Sequence, residues 1–135
     1  MKEFMRIEKG WKPIPLSLKI LSIVFLFWSV MTLVNIKFAF DIGYPIFGII
    51  FDGALGVVIA LLLNFLAPLI FVYALLNRYS WGPKYAMTYI SFFIINNTVA
   101  LALLQVQLGL PQILFPLIAN VIFFIVIYKT RSYFK

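Results

Sequence analysis

The sequence predicts an all-α, polytopic membrane protein: four transmembrane helices in an up-down bundle, with both termini in the cytoplasm. Three observations carry that expectation. Hydrophobic residues fill 64% of the 135 positions and charged residues only 11%. Soluble domains carry ~45–50% and ~25% respectively, and a small domain has too little interior to hide such an excess. The apolar residues fall into four runs, each long enough to cross a hydrocarbon layer of about 30 Å. The cations gather at one set of run ends, which is a topology signal.

The chain divides into a basic interfacial segment, residues 1–15, and a four-helix transmembrane domain, residues 16–135. In the first segment Phe4, Ile7 and Trp11 share one helical face, and Lys2, Arg6 and Lys9 share another. A short interfacial helix with Trp11 at headgroup depth accounts for that pattern, as does a solvated basic tail. No small-residue cleavage site follows the first apolar run, so an uncleaved start is expected. Pro15 biases Ile14 away from the α region and ends any such helix.

Helix 1 is expected from Leu16 to about Ile36, with Lys19 snorkelling from its first turn. Ser22, Ser29 and Thr32 are its weakly polar positions; they can bond back to their own helix carbonyls, so no functional role is needed to account for them. Lys37 to Gly48 is the longest connection. It carries Asp41, Gly43 and Pro45 among four aromatics, a composition that fits an interfacial belt. Helix 2 is expected from Asp52 to about Asn77. Asp52 stands where an N-cap carboxylate would accept backbone N–H bonds. Gly53, Gly56, Ala60, Asn64 and Ala67 fall on one stripe, and small residues spaced by four let another helix approach closely. Pro68 cannot donate to the Asn64 carbonyl, so a bend is expected there.

A tight turn with Tyr79 and Trp81 at the interface leads to helix 3, from Lys84 to about Gln107. Gly109 and Pro111 separate it from helix 4, from Pro111 to about Tyr128, in the expected order of glycine after one helix and proline opening the next. Trp11, Trp81, Tyr79 and Tyr133 are the expected interfacial anchors. Of eleven Lys and Arg residues, only Lys37 falls on the far side, with Asp41 and Asp52. The positive-inside rule then places both termini in the cytoplasm of a protein in the cell membrane. The net charge of +7 marks anionic lipid headgroups rather than nucleic acid as the partner.

The chemistry on offer is sparse. With no Cys and no His, disulfides, thiolate metal sites and histidine catalysis are excluded. The four carboxylates, Glu3, Glu8, Asp41 and Asp52, avoid the run centres, where coupling acids of proton-driven transporters lie. No phosphate loop or nucleophile–base pair is present, so no catalytic residue, cofactor or metal is expected. What remains is a layer of amides: Asn64, Asn96, Asn97 and Asn120. At ~1.5 Å per residue, Asn64 lies about 21 Å from Arg78, Asn97 about 20 Å from Lys84 and Asn120 about 14 Å from Lys129. An amide at that depth is costly to leave facing lipid, so these side chains are expected to face protein.

Three boundary features run the length of the chain: Lys12-Pro13 ahead of helix 1, Trp81-Gly82 after helix 2, and Tyr128, Arg131, Tyr133 and Phe134 at the exit. In these the chain resembles a broad group of small prokaryotic four-helix membrane proteins, and departs from it in having no glycine in helix 1. The resemblance implies architecture and no particular activity. The expected role is an accessory or assembly subunit, or a self-associating scaffold, with a protein partner or a homo-oligomer. The alternative is a small oligomeric channel or transporter for an ion or small neutral solute, using the asparagine layer. An enzyme is the weakest of the three.

Overall fold

In the computed structural model, which describes residues 9–104 and 109–134, the chain is mostly helical. Four helices are long and apolar enough to cross a membrane: α1 (Leu16–Val34), α3 (Gly53–Leu76), α4 (Gly82–Leu103) and α5 (Leu110–Thr130). A 3-10 turn, Arg131–Tyr133, follows α5. The basic helix expected ahead of Lys9 and the expected end of helix 3 at Gln107 lie outside the described residues.

α1 begins after Pro15, whose ψ of 148° is extended. It ends at Val34, with Asn35 as its C-cap, two residues short of the expected Ile36. There the backbone leaves the helix for one residue and winds again as α2 (Ile36–Asp41). The connection, expected as an aromatic-rich interfacial segment, therefore has secondary structure of its own. After α2 it forms an antiparallel ribbon of β1 (Tyr44–Ile46) and β2 (Ile49–Phe51), with Tyr44 opposite Phe51 and Ile46 opposite Ile49. The two loop residues, Phe47 and Gly48, both have positive φ, 49° and 87°. That is the primed turn whose twist matches a two-residue hairpin. Pro45 costs the ribbon little, because each strand is an edge.

α3 is one helix of three parts. α-Helical turns at Gly53–Ala60 and Ala67–Leu76 flank a π-helical segment, Leu61–Leu66, just before Pro68. The bend expected from Pro68 thus takes the form of a widened turn, which leaves carbonyls in need of donors.

α3 packs against α1 and α4, while α5 packs along α4 and touches α1. One end of the bundle is tightly filled. Leu18, Phe71, Leu75, Ile90 and Ile127 are fully buried there, and Phe25 meets Phe71 and Phe123 edge-on at 5.4 and 5.6 Å. Backbone bonds and ring contacts close that end. The Gly10 N–H donates to Leu76 O at 2.7 Å, Arg78 Nε donates to Tyr133 O at 2.8 Å, and Phe134 covers Gly82 so closely that a Cβ there would clash at 2.6 Å. The outer faces carry Leu, Ile, Val and Phe exposed along their length, the surface that a bilayer covers.

Candidate functional site

Beyond Phe25 the bundle loosens, and its walls are set by hydrogen bonds to the π segment of α3. Three hydroxyls from two neighbouring helices donate to its carbonyls, and a fourth donates to Ala67 just beyond it. Ser29 donates to Phe65 O at 3.1 Å, and Thr32 donates to Asn64 O at 3.3 Å, the carbonyl that Pro68 cannot serve. From α4, Tyr89 donates to Leu63 O and Tyr85 to Ala67 O at 2.8 Å. Helical serines and threonines ordinarily bond within their own turn, as Ser22 does to Lys19 O at 2.8 Å. Ser29 instead reaches across, and Thr32 does both. Each such cross-helix bond contributes about 0.6–2 kcal/mol.

The same region receives the β1–β2 ribbon. Asn96 is buried and clamps the ribbon with both ends of its amide. Its Oδ1 accepts the Phe47 N–H at 2.7 Å, and its Nδ2 donates to Pro45 O at 3.0 Å. Phe47 is held in a left-handed conformation that costs a non-glycine residue roughly 1–2 kcal/mol. The bond to its own N–H offsets that cost. At the ribbon's base the Tyr44 hydroxyl donates to Asn64 Oδ1 at 2.8 Å. Burial pushes the Tyr44 hydroxyl above its ordinary range, against the opposing pull of the Asn64 bond, so it stays a donor. Gly48 at the tip faces Leu103, where a Cβ would meet a methyl at 2.7 Å.

Between α1, α3, α4, α5 and the ribbon lies a cavity of about 730 Å³, lined by all four asparagines. Their amides are spent unequally. Asn96 is engaged at both ends. Asn64 has its oxygen engaged by Tyr44, and Asn120 donates to Pro116 O within its own helix at 2.8 Å. Asn97 makes no side-chain hydrogen bond among the described residues, and neither do Gln112, Asn64 Nδ2 nor Asn120 Oδ1. A second cavity of about 440 Å³ lies under α2 and meets the first at Trp28, Tyr44 and Asn64, which line both.

The small-residue stripe resolves into different roles. Gly56 does let a neighbour approach, but the neighbour is backbone: the carbonyls of Phe51 and Ala39 sit where its Cβ would be. Ala60 is buried beside it. Gly53 has open space around it and is instead set by a φ of 64°, so its expected packing role is corrected to a backbone one. Ala67 serves as a carbonyl acceptor. Asp52 occupies the N-cap position with extended backbone but makes no side-chain cap bond. The Gly56 N–H goes to its main-chain oxygen instead. Asp41 ends α2, exposed.

Of the expected anchors, Trp11 is exposed with the Lys19 ammonium 5.7 Å from its ring. Tyr79 stacks on Trp81 at 5.5 Å. Tyr133 is half-buried beneath the Arg78 guanidinium, 4.0 Å from the ring centre, which makes it a fixed closure rather than a free interfacial ring. Sequence reasoning missed Tyr44, Tyr85, Tyr89 and Ser29 as part of the site. The one available signal was that Pro68 must orphan a carbonyl. Among the described residues, no three His, Cys, Asp or Glu side chains converge on a metal-sized space. Comparisons with protein-family models, with curated proteins and with solved structures return no match.

Proposed function

We propose that this chain is a multi-pass protein of the cell membrane whose amide-lined cavity is a binding chamber for a small uncharged molecule, in the manner of a small transporter or channel. The observation that carries the reading is the unspent amide of Asn97 beside that of Asn96, which is engaged at both ends. A purely structural amide layer would commit its polar atoms to protein, because an amide at hydrocarbon depth costs several kcal/mol to leave unpaired. The test is ligand-dependent stabilisation. A bound molecule raises the unfolding midpoint of the state that binds it. Uncharged compounds should do so for the wild type and fail to do so for Asn97→Leu. A panel with no effect on either protein rejects the chamber.

The reading includes an up-down threading with both termini cytoplasmic. It is supported by the Lys/Arg asymmetry and by the contacts that gather Gly10, Leu76, Arg78 and Tyr133 at one end. Cysteines placed at Asp41 and Ser132, both exposed, test it on intact cells. An impermeant thiol reagent should label only the Asp41 site, and labelling at Ser132 alone reverses the topology.

A second reading, an accessory subunit or self-associating scaffold, is favoured by α5. Only Ile113 and Ile127 are buried along its Leu110–Thr130 span, so most of this helix is left to lipid or to another protein. Cysteine cross-linking along the exposed face at Phe115, Ile118 and Ile122 tests it. A single discrete cross-linked species supports a subunit interface, and none leaves the face to lipid.

A further inference from the structure

We infer that the chamber's ligand is an uncharged single-chain amphiphile, an apolar body carrying one hydroxyl head, and that it enters sideways from the bilayer between α1 and α5. This rests on the chamber reading above and names its substrate class.

The charge follows from the lining. No Asp, Glu, Lys or Arg faces the cavity, and an ion there would lose its hydration with no counter-charge to replace it. A bare cation would find only neutral oxygens, and Asn96 Oδ1 and Asn64 Oδ1 each already accept a hydrogen bond. The head follows from the unspent atoms. Asn97 offers a donor and an acceptor, Asn64 a donor at Nδ2 and Asn120 an acceptor at Oδ1. A hydroxyl both donates and accepts, so it can satisfy a mixed set of this kind, whereas a carbonyl only accepts and leaves the amide oxygens unpaired.

The body follows from the rest of the wall. Phe25, Phe93, Phe115 and Phe123 line the same space. A wholly polar solute would press its remaining hydroxyls against rings, and a hydrocarbon would leave Asn97 unpaired. The volume of about 730 Å³ lies within the roughly 300–1,000 Å³ of small-molecule sites.

The route follows from residues that belong to both surfaces. Phe115, Ile118 and Ile122 line the cavity and are also 71%, 57% and 54% exposed. They form one stripe, at spacings of three and four, along the edge of the chamber. Trp28 on α1, 42% exposed, also lines the cavity. An apolar rim of this kind admits what is already dissolved in lipid.

Trp28 is the reporter. In a Trp11→Phe, Trp81→Phe background it is the sole tryptophan of three. The protein in nanodiscs is titrated with bromoundecanol, bromoundecanoate and bromopropanediol, whose bromine quenches a nearby indole. Bromoundecanol should quench saturably, above the linear background of alcohol dissolved in lipid, and undecanol should compete. Asn97→Leu should weaken the saturable phase by about tenfold or more, as expected for losing a buried hydrogen-bond partner. Ile118→Phe, at an exposed rim position, is the second variant and should slow the approach to saturation. Quenching that is only linear, or unchanged in Asn97→Leu, overturns the inference. Saturation by bromopropanediol alone keeps the chamber and rejects the amphiphile. Equal saturation by bromoundecanoate rejects the uncharged class. Failure of all three probes removes both readings.

Discussion

Asn96 and Asn97 are neighbours about 100° apart on α4. The first is buried and holds the ribbon through the Phe47 N–H and Pro45 O. The second lines the cavity and holds nothing among the described residues. One residue type, at one depth, on one helix, thus does two things: the inward amide replaces a missing strand partner, and its neighbour keeps its hydrogen-bonding capacity. The difference lies in what faces each position. Asn96 meets backbone that two-stranded pairing leaves unsatisfied, and such backbone at membrane depth is tolerated only where protein serves it. Asn97 meets open space.

Removing the clamp should have the largest effect. Asn96→Leu strands the Phe47 N–H and the Pro45 carbonyl, and removes a bond that supports the left-handed conformation of Phe47. The expected loss is about 2–4 kcal/mol, read as a fall in the unfolding midpoint in detergent. If Asn97→Leu is equally damaging, the contrast between the two amides is wrong. Gly56→Leu comes next. Its Cβ would meet the Phe51 and Ala39 carbonyls, backbone that cannot rotate away, so overpacking of about 1–3 kcal/mol is expected. Gly53→Ala, in open space but at φ 64°, should cost only ~1 kcal/mol. Reversed ranks would show that α2 and the ribbon do not press on α3 as described.

These effects also mark what the sequence could convey. The four spans were legible because hydrophobicity over about twenty residues is a strong, local signal. The depth of the asparagines was legible too, since it needs only a rise per residue. The ribbon was not. Phe47-Gly48 lacks the asparagine or aspartate that usually announces a primed turn, and its strands are three residues each. Ser29 could not be told from Ser22 either, because whether a helical hydroxyl bonds its own turn or a neighbour depends on which carbonyls the neighbour has lost. Pro68 announced a lost carbonyl without saying that the turn before it would widen, that Thr32 would serve the Asn64 carbonyl, or that Tyr89 and Tyr85 would donate to Leu63 O and Ala67 O beside it.

A smaller effect is expected at the wall shared by the two cavities. Tyr44→Phe removes the donor to Asn64 Oδ1 but keeps the ring. It should cost about 1 kcal/mol, less than the loss of the two-ended Asn96 clamp. Paired with Asn64→Leu in a double-mutant cycle, it should show most of that energy as coupling between the two sites. Additive losses would mean that the bond contributes nothing and that Asn96 alone holds the ribbon.

The smallest expected change in stability is the most informative. Asn97→Leu deletes an amide with no bond among the described residues and adds an apolar side chain of similar length toward a cavity already rich in rings. In the ligand-free protein it should shift stability by less than about 0.5 kcal/mol, or raise it slightly, because an unpaired amide at hydrocarbon depth is itself a cost. A null result for folding together with a lost saturable site would separate what α4 does to hold the fold from what it does to hold a ligand. A loss as large as that of Asn96→Leu would instead make Asn97 part of the scaffold, and the layer would then be cohesive on both of its faces.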